Sequence, residues 1–304
     1  MASATSTRRK KMRLTFADIS FNVIDTSILV FAALVVVYPL LYIVGASFSS
    51  PTAVLTGRVI LWPVEPSLFS YEAVFKNKQI ITGYMNSAIY AVGGMTISTV
   101  LTLMAAYPLS CKHLYGRKLL MWVFLFTMLF SGGLIPTYLL LRSVGMIGTR
   151  WAMVIPNAVA IWLLIITRTF FQTTIPDELH EAAEIDGCSE FKYFVSILIP
   201  LSTPIIAVIA LNYAVWQWNS YFNALIYLTD ARMYPLQIIL RNILILNQVD
   251  INMMQDLEDA LRRQGLAVAL KYPLIVVASA PLLMVYPFAQ KYFVKGIMVG
   301  SLKG

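Results

Sequence analysis

The sequence predicts an all-α, polytopic membrane protein with six transmembrane helices. Of its 304 residues, 59% are hydrophobic and only 12% are charged, and the mean hydropathy is +0.72. Soluble domains carry roughly 25% charged residues, so this composition is typical of a protein embedded in lipid. A chain of this length accommodates about five to seven spans of roughly 20 residues each.

Charge and cysteine content exclude several other classes. The net charge is +8, and basic residues at the cytoplasmic ends of spans explain it without nucleic-acid binding. The two cysteines, Cys111 and Cys188, and the two histidines, His113 and His180, show neither metal-ligand spacing nor a disulfide framework. We therefore predict no metal site, and we expect both histidines on the surface.

Six apolar runs define the predicted spans. They lie at residues 24–48, 81–109, 119–141, 151–171, 200–222 and 266–288. The first run exceeds a signal-peptide core of about 7–15 residues and lacks a small-residue cleavage site, so we interpret it as a helix. Gly132, Gly133 and Pro136 predict that the third span is kinked or broken within the membrane.

Basic residues predict the orientation of the chain. Residues 1–20 form a cytoplasmic N-terminal segment with five clustered Lys and Arg side chains, and residues 21–304 form the transmembrane domain. The short turn at residues 112–118 is also basic. The positive-inside rule then places both termini in the cytoplasm, with a cytoplasmic loop at 173–199 and an external segment at 223–267.

The cytoplasmic loop carries the densest acidic cluster of the chain. Thr174 suits an N-cap, Pro176 is tolerated in a first helical turn, and the early acids Asp177 and Glu178 are favoured by the helix dipole. The loop is therefore predicted to begin with a short helix.

That helix is predicted to be amphipathic. Its apolar face comprises Leu179, Ala182, Ala183 and Ile185, and its acidic face comprises Glu178, Glu181 and Glu184. Gly187 stands where a left-handed residue ends a helix, and a second helix at residues 190–198 leads through Pro200 into the fifth span. Two short helices joined at a glycine could dock into a groove on a partner. A solvated loop whose acids face water is the alternative.

The stretch 181–200 resembles the EAA loop of ABC importer permeases. That pattern reads Glu-Ala-Ala, three residues, Gly, nine residues, then Ile-x-Leu-Pro. The matching residues are Glu181, Ala182, Ala183, Gly187, Ile197 and Pro200, with Ile199 in place of the usual Leu. Residues 175–179 and the core around Asp186 are similar to the second permease subunit of maltose-type carbohydrate importers. The resemblance covers most of the chain and implies a type I ABC importer transmembrane domain.

Further stretches narrow the resemblance to a substrate group. Residues 130–138, 234–242 and 295–300 are similar to permeases for polygalacturonan, alginate and related oligosaccharides, a group that includes the alginate importer. The resemblance implies import of an acidic, uronate-type oligosaccharide, although nothing in the composition identifies that sugar.

The resemblance also implies partners. The sequence has no G-x-x-x-x-G-K-[ST] loop, so a separate polypeptide must bind ATP if transport is ATP-driven. Two ATPase subunits holding ATP and Mg, a second homologous permease and an extracytoplasmic substrate-binding protein are expected, in a bacterial inner membrane. We expect this chain to hold no cofactor and to be no enzyme. The expected ATPase-coupling residues are Glu178, Glu181, Ala182, Ala183, Asp186, Gly187, Ile197 and Pro200.

Polar residues within the spans predict a substrate path, because such groups usually face the bundle interior. The candidates are Asn86, Asn157, Asn212, Tyr213, Gln217, Trp218 and Asn219. Aromatic residues near a span end often form an interface belt, and buried Asn often joins helices, so those alternatives stay open.

A stand-alone transporter or channel and a membrane-embedded enzyme are the alternatives to import by an ABC transporter. A stand-alone secondary transporter or channel should show ionisable residues at mid-membrane or internal repeats, and neither is evident. A membrane-embedded enzyme is not indicated either, because the sequence contains no H-E-x-x-H or G-x-S-x-G motif.

Overall fold

The computed structural model describes residues 16–243 and 270–287, and within these ranges the secondary structure is helical with no strand. Three predicted features lie outside the described residues. They are the basic cluster of the N-terminal segment, the charged part of the external segment near residues 256–263, and the C-terminal tail from residue 290.

The helices follow the predicted order of spans and loops. In chain order they are α1 Phe16–Ser47, α2 Pro51–Leu55, α3 Phe69–Lys76, α4 Lys78–Ser110, α5 Arg117–Leu129, α6 Leu134–Ser143, α7 Trp151–Val154, α8 Ile161–Thr174, α9 Asp177–Ile185, α10 Glu190–Tyr193, α11 Ile199–Leu201, α12 Thr203–Trp218, α13 Phe222–Tyr227, α14 Leu236–Arg241 and α15 Leu270–Pro287. A π-helical turn, Phe194–Leu198, joins α10 to α11.

Helix α4 is the centre of the bundle. Its 33 residues extend about 50 Å at 1.5 Å per residue, well beyond a hydrocarbon core of about 30 Å. Helices α8, α12 and α14 pack against it. A Cβ added to Gly94 would lie 2.7 Å from the Gln217 side chain, and one added to Gly83 would lie 3.2 Å from the Leu236 Cα. Small residues in the second span therefore allow close packing of the helices.

Helix α1 is the opposite case, because it is exposed along most of its length. The segment Ser20–Ser47 has a mean hydropathy of 2.6, yet only 6% of its most apolar stretch of 18 residues is buried within the described chain. Such a large exposed apolar surface is unfavourable in water, so lipid or another membrane subunit must cover it.

Five of the six predicted spans have a counterpart in the described residues. Three helices are long and apolar enough to cross a membrane alone: Ser20–Ser47, Lys78–Ser110 and Leu270–Pro287. Two more are bent pairs. Helices α5 and α6 are bent by 113° relative to each other, and Glu190–Leu201 is bent by 83° relative to Thr203–Trp218. In the second pair Thr203–Trp218 corresponds to the predicted fifth span, and most of Glu190–Leu201 belongs to the loop before it. The predicted break in the third span is confirmed at residues 130–133.

The fourth predicted span, residues 151–171, is not one continuous helix. The short helix α7 ends at Val154 and α8 begins only at Ile161. Pro156, which has no backbone N–H to donate, lies in the interruption. Helix α8 has 14 residues, or about 21 Å, which is shorter than the hydrocarbon core. The sequence predicted a span at residues 151–171, and the structure shows that this stretch is interrupted near its start.

The predicted external segment is held against α4 by side chains of that helix. The Asn86 Nδ2 donates to the carbonyl oxygens of Arg232 at 2.8 Å and Tyr234 at 3.1 Å. The Tyr90 hydroxyl donates to the carbonyl of Met233 at 2.9 Å. Since these carbonyls belong to one short turn, α4 fixes the path of the segment where it leaves the membrane domain.

Candidate functional site

The loop that was predicted to couple to an ATPase folds as two short helices, α9 and α10. Helix α9 starts at Asp177 with Pro176 as its N-cap residue. Thr174 was expected to cap α9 but belongs to the last turn of α8, so that detail was wrong. The predicted acids of the first turn, Asp177 and Glu178, are confirmed.

Gly187 ends α9 in the predicted left-handed conformation, with φ at +72°. The Cys188 amide donates to the Ala183 carbonyl at 2.9 Å, and the Gly187 amide donates to the Glu184 carbonyl at 3.0 Å. This pair of bonds is the Schellman pattern. A Cβ at position 187 would meet no atom within 4 Å, so the backbone conformation alone makes glycine favourable here.

The second half of the loop turns into the membrane domain. The Ser189 side chain caps α10 by accepting from the Lys192 amide. Ile197 lies in the π-helical turn and is half-buried against the core, whereas Pro200 lies in α11 and is exposed. The chain then bends into α12, which begins at Thr203. The helix of the fifth span therefore begins a few residues after Pro200, where the sequence predicted its start.

The inner face of the loop packs on the ends of α4 and α8. Ala183 and Tyr193 are buried in the same cluster as Leu109 of α4 and Phe171 of α8. Only 8% of Ala183 is exposed. Ala183, which was expected among the coupling residues, therefore packs against this chain's own helices, and its contact with a partner stays a prediction.

The outer face of the loop is free within the described residues. The exposed members of the predicted coupling set are Glu178, Glu181, Ala182, Asp186, Gly187 and Pro200. Ile185 is 87% exposed and Phe191 is 76% exposed. The predicted apolar face of α9 is thus divided, with Ala183 turned inward and Ile185 outward. An exposed surface that combines carboxylates with two large apolar side chains is suited to a protein partner.

Polar contacts hold the loop on the membrane domain. Lys112, in the turn after α4, forms an ion pair with Asp177 of α9. The hydrogen bond from the Lys112 ammonium to the Asp177 carboxyl lowers the pKa of that carboxyl. Glu190 of α10 accepts a hydrogen bond from the Tyr107 hydroxyl and lies 3.1 Å from His180 Nε2. The Tyr107 hydrogen bond is the main cause of a lowered pKa for Glu190, and burial opposes it.

The C-terminal end of α4 is an anchor that the sequence reading missed. Three side chains donate to its last carbonyl oxygens: Arg168 Nε to Leu109 at 2.8 Å, Gln172 Nε2 to Ser110 at 3.1 Å, and Arg117 Nη1 to Cys111 at 3.1 Å. Cations near a helix C-terminus stabilise its dipole and satisfy carbonyls that lack helical partners. The only signal in the sequence was that Arg168 lies at the inner end of a predicted span.

Three of the predicted substrate-path residues are buried and bonded within the chain. Asn86 holds the turn at residues 232–234 and also accepts from Arg150 at 3.2 Å. The Tyr213 hydroxyl shares a hydrogen bond of 2.7 Å with Thr102, and Trp218 Nε1 donates to the Ala278 carbonyl at 2.9 Å. A sugar could replace these partners only if the helices moved apart.

The other four candidates are more accessible. Gln217 is half-buried against Gly94 and donates weakly to the Met153 carbonyl at 3.4 Å. The exposed candidates are Asn157, Asn212 and Asn219. The side-chain amides of Asn212 and Asn219 donate to carbonyls of their own helix. Contact of any of these residues with substrate remains a prediction.

These features together define a class. A bundle of apolar helices, arranged around α4 and carrying a polar two-helix loop between membrane segments, is typical of an all-helical membrane protein. The chain belongs to the family described as "Binding-protein-dependent transport system inner membrane component", whose model matches residues 99–299. It is therefore a membrane component of a transport system that works with partner proteins. The alternative of a stand-alone secondary transporter or channel does not fit this family.

Curated relatives match over nearly the full length of the chain. "Protein LplC" of Bacillus subtilis (strain 168) is 39% identical over 96% of this chain and 98% of the relative. The "Polygalacturonan/rhamnogalacturonan transport system permease protein YtcP" of the same strain is 40% identical over 93% of this chain and 98% of the relative. Both alignments include the whole region that carries the loop.

A solved structure confirms the fold. The "Crystal structure of a bacterial ABC transporter involved in the import of the acidic polysaccharide alginate" contains a chain that matches with a TM-score of 0.84 and 31% identity. The match covers 92% of this chain and 98% of that one. The protein thus has the fold of a type I ABC importer permease, as the resemblance of its loop to that family implied.

Proposed function

We propose that this chain is the permease subunit of an ATP-driven importer for oligosaccharides of the acidic, uronate type. Family membership supports the transport role. Support for the substrate class comes from a curated relative named for polygalacturonan and rhamnogalacturonan and from a structural relative titled for alginate import.

A cavity of this chain favours an anionic substrate. It has a volume of about 470 Å³ and lies between the start of α4 and the predicted external segment. Lys78 and Arg232 line it, together with Gln79, Thr82 and Asn242, and no carboxylate residue of the described chain is among its lining. Cationic side chains form strong charge-assisted hydrogen bonds to carboxylates. Arg232 also binds Asp230, which leaves Lys78 as the less constrained cation.

The coupling loop, residues 173–199, carries the second half of the proposal. Its inner face is bonded to α4 and α8, while its outer face exposes Glu181 and Ile185. ATP binding can shift a transporter only through contacts that differ between its two states. A loop tied to two central helices transfers such a contact directly to the membrane domain, and this arrangement is the observation that carries the proposal.

The proposal includes the expected partners. Two ATPase subunits would bind ATP and Mg and would hydrolyse the nucleotide, while this chain performs no hydrolysis. A second homologous permease would complete the passage, and an extracytoplasmic binding protein would deliver the sugar. Both termini and the coupling loop would lie in the cytoplasm, on the inner side of a bacterial inner membrane.

Reconstitution tests the proposal. The chain, co-expressed with the permease and ATPase subunits of its own system, is purified and incorporated into proteoliposomes with the cognate binding protein. We expect oligogalacturonate or alginate oligosaccharide to stimulate ATP hydrolysis more than a neutral maltooligosaccharide. Stimulation by the neutral sugar alone would overturn the uronate assignment. Failure of any ATPase to purify with the chain would contradict the coupling role.

A pair of lysine variants tests the basic cavity. Lys78→Gln should raise the concentration of oligogalacturonate needed for half-maximal stimulation, because it removes a cation from the cavity. Lys76→Gln is the matched control, since Lys76 is exposed on α3 and pairs with Glu72 outside the cavity. Equal effects of the two substitutions would show that the cavity does not recognise the substrate charge.

A further inference from the structure

The fold brings the only two histidines of the chain together at the coupling loop. The rings of His113 and His180 have centroids 5.6 Å apart and are inclined at 37°. Glu190 lies beside them, and one donor atom from each of the three residues lies within 4.8 Å of the other two. The three residues come from the turn after α4, from α9 and from α10. Because they are far apart in the chain, their spacing in the sequence does not predict the cluster.

We propose that His113, His180 and Glu190 form a binding site for a divalent transition-metal ion of the zinc class. Two imidazoles and a carboxylate are donors that zinc accepts readily, with a fourth position left for water. His180 Nε2 and Glu190 Oε1 are 3.1 Å apart. Bonds of about 2.0–2.2 Å to a tetrahedral ion place two donors about 3.3–3.5 Å apart, so this pair already has nearly the required separation. His113 is exposed and is free to rotate toward them.

Neighbouring residues orient the proposed ligands. The Tyr107 hydroxyl donates to the other carboxyl oxygen of Glu190, Oε2, and so leaves Oε1 available for the ion. The His180 ring packs edge-on against Tyr193 with a centroid distance of 4.9 Å. The ion pair between Lys112 and Asp177 holds the turn that carries His113 close to the start of α9. Supporting contacts of this kind are typical of the outer shell of metal sites.

The site is open to solvent from one side. His113 and His180 line a cavity of about 340 Å³, whose other lining residues include Glu181 and Glu184. Lys112 and Asp177 also line this cavity and pair with each other. The carboxylates of Glu181 and Glu184 therefore exceed the cations there, and a cation is attracted to the approach. Cys111 also lies nearby, but its thiol is directed to the Tyr107 carbonyl at 3.4 Å, and it is not a member of the three-residue cluster.

Metal titration of the purified full-length chain tests this site, independently of any transport assay. The protein carries an affinity tag without histidine and is titrated with Zn²⁺ by calorimetry in detergent micelles, with Co²⁺ absorption as a second readout. We expect one Zn²⁺ per chain, together with a rise in the unfolding temperature on binding. Absence of stoichiometric Zn²⁺ binding would overturn the proposal.

Variants identify the ligands. His113→Ala, His180→Ala and Glu190→Gln should each weaken Zn²⁺ binding at least ten-fold. His113→Ala is the most informative variant because the side chain is exposed, so the fold should be retained, and the metal-free unfolding temperature checks this. The matched control replaces Cys111 and Cys188 by Ser and should bind Zn²⁺ as the wild type does. Unchanged binding in His113→Ala, or loss of binding in the cysteine variant, would contradict the assignment.

Discussion

Arg168 of α8 donates from Nε to the carbonyl oxygen of Leu109 in the last turn of α4, at a distance of 2.8 Å. The contact joins the two helices on which the coupling loop packs. It also places a cation at the C-terminal end of the longest described helix, where the helix dipole favours positive charge. Movement of the loop should therefore be transmitted to α4 through this end of the bundle.

The first prediction concerns that contact. Arg168→Ala should destabilise the protein by about 1.5–3 kcal/mol, because it removes a charged hydrogen bond and leaves a carbonyl without its partner. Thermal unfolding in detergent measures the effect as a lower unfolding temperature. Arg142→Ala is the control, since Arg142 is exposed at the end of α6. Equal unfolding temperatures for the two variants would mean that Arg168 does not support the end of α4.

The second prediction concerns the turn at Gly187. A Val at this position must adopt φ near +72°, which costs about 1–2 kcal/mol for an ordinary residue and more for a β-branched one. Gly187→Val should therefore greatly reduce sugar-stimulated ATP hydrolysis in the reconstituted transporter, while the chain still inserts in the membrane.

Gly187→Asn is the matched control for this turn. Asn tolerates the left-handed region, and no atom lies within 4 Å of the added Cβ, so stimulated hydrolysis should stay close to wild type. If Gly187→Asn reduces stimulated ATP hydrolysis as much as Gly187→Val does, the left-handed backbone conformation does not explain why glycine is needed at position 187.

The third prediction concerns Glu181 on the outer face of the loop. Glu181→Gln keeps the shape of the side chain but removes its charge, and a hydrogen bond to a charged group contributes about 1.5–3 kcal/mol. We expect ATPase subunits to bind at least about ten-fold more weakly, as measured by co-purification at graded ATPase concentration. Glu72→Gln on α3 should leave binding unchanged. Wild-type affinity in Glu181→Gln would exclude this carboxylate from the docking contact.

The fourth prediction separates structural from substrate-contacting asparagines. Asn86 is only 3% exposed, and it forms hydrogen bonds with three groups. Asn86→Ala should therefore lower the free energy of unfolding by about 1–3 kcal/mol for each buried group left without a hydrogen bond. Asn212→Ala should change stability by no more than about 0.5 kcal/mol, because Asn212 is exposed and bonds only its own helix. Thermal unfolding compares the two. A stable Asn86→Ala protein with impaired transport would instead favour a role in sugar contact.

The fifth prediction is a pH dependence of the turn that contains Asp230 and Arg232. Hydrogen bonds from the Arg232 side chain lower the pKa of Asp230. A carboxyl with a lowered pKa in the folded state contributes stability above its unfolded pKa of about 3.9 and loses that contribution as the pH falls through the folded value. The unfolding temperatures of wild type and Asp230→Asn should therefore differ at neutral pH and converge below about pH 3.9. A difference that widens on acidification would contradict this pairing.

Local patterns account for much of what could be predicted. The apolar runs predicted five spans with structural counterparts, and the glycines and proline after Phe130 predicted the break in the third. Gly187 was predicted to end α9 because few other residues adopt its conformation without strain. The interruption of the fourth span between α7 and α8 did not follow from hydropathy, because hydropathy averages over many residues, whereas Pro156 interrupts backbone hydrogen bonding at a single residue.

The sequence by itself determined that the protein is embedded in a membrane, where its apolar segments lie and where the polar loop lies, because these depend on composition and on short-range backbone chemistry, while the resemblance of residues 181–200 indicated the class of transporter. Only the tertiary structure decided that Ala183 faces inward, that Arg168 anchors α4 and that Asn86 holds the turn at residues 232–234. It alone brought His113, His180 and Glu190 together. Contacts between distant segments depend on how helices pack, and a linear pattern records which face of a helix is apolar but not which neighbour covers it.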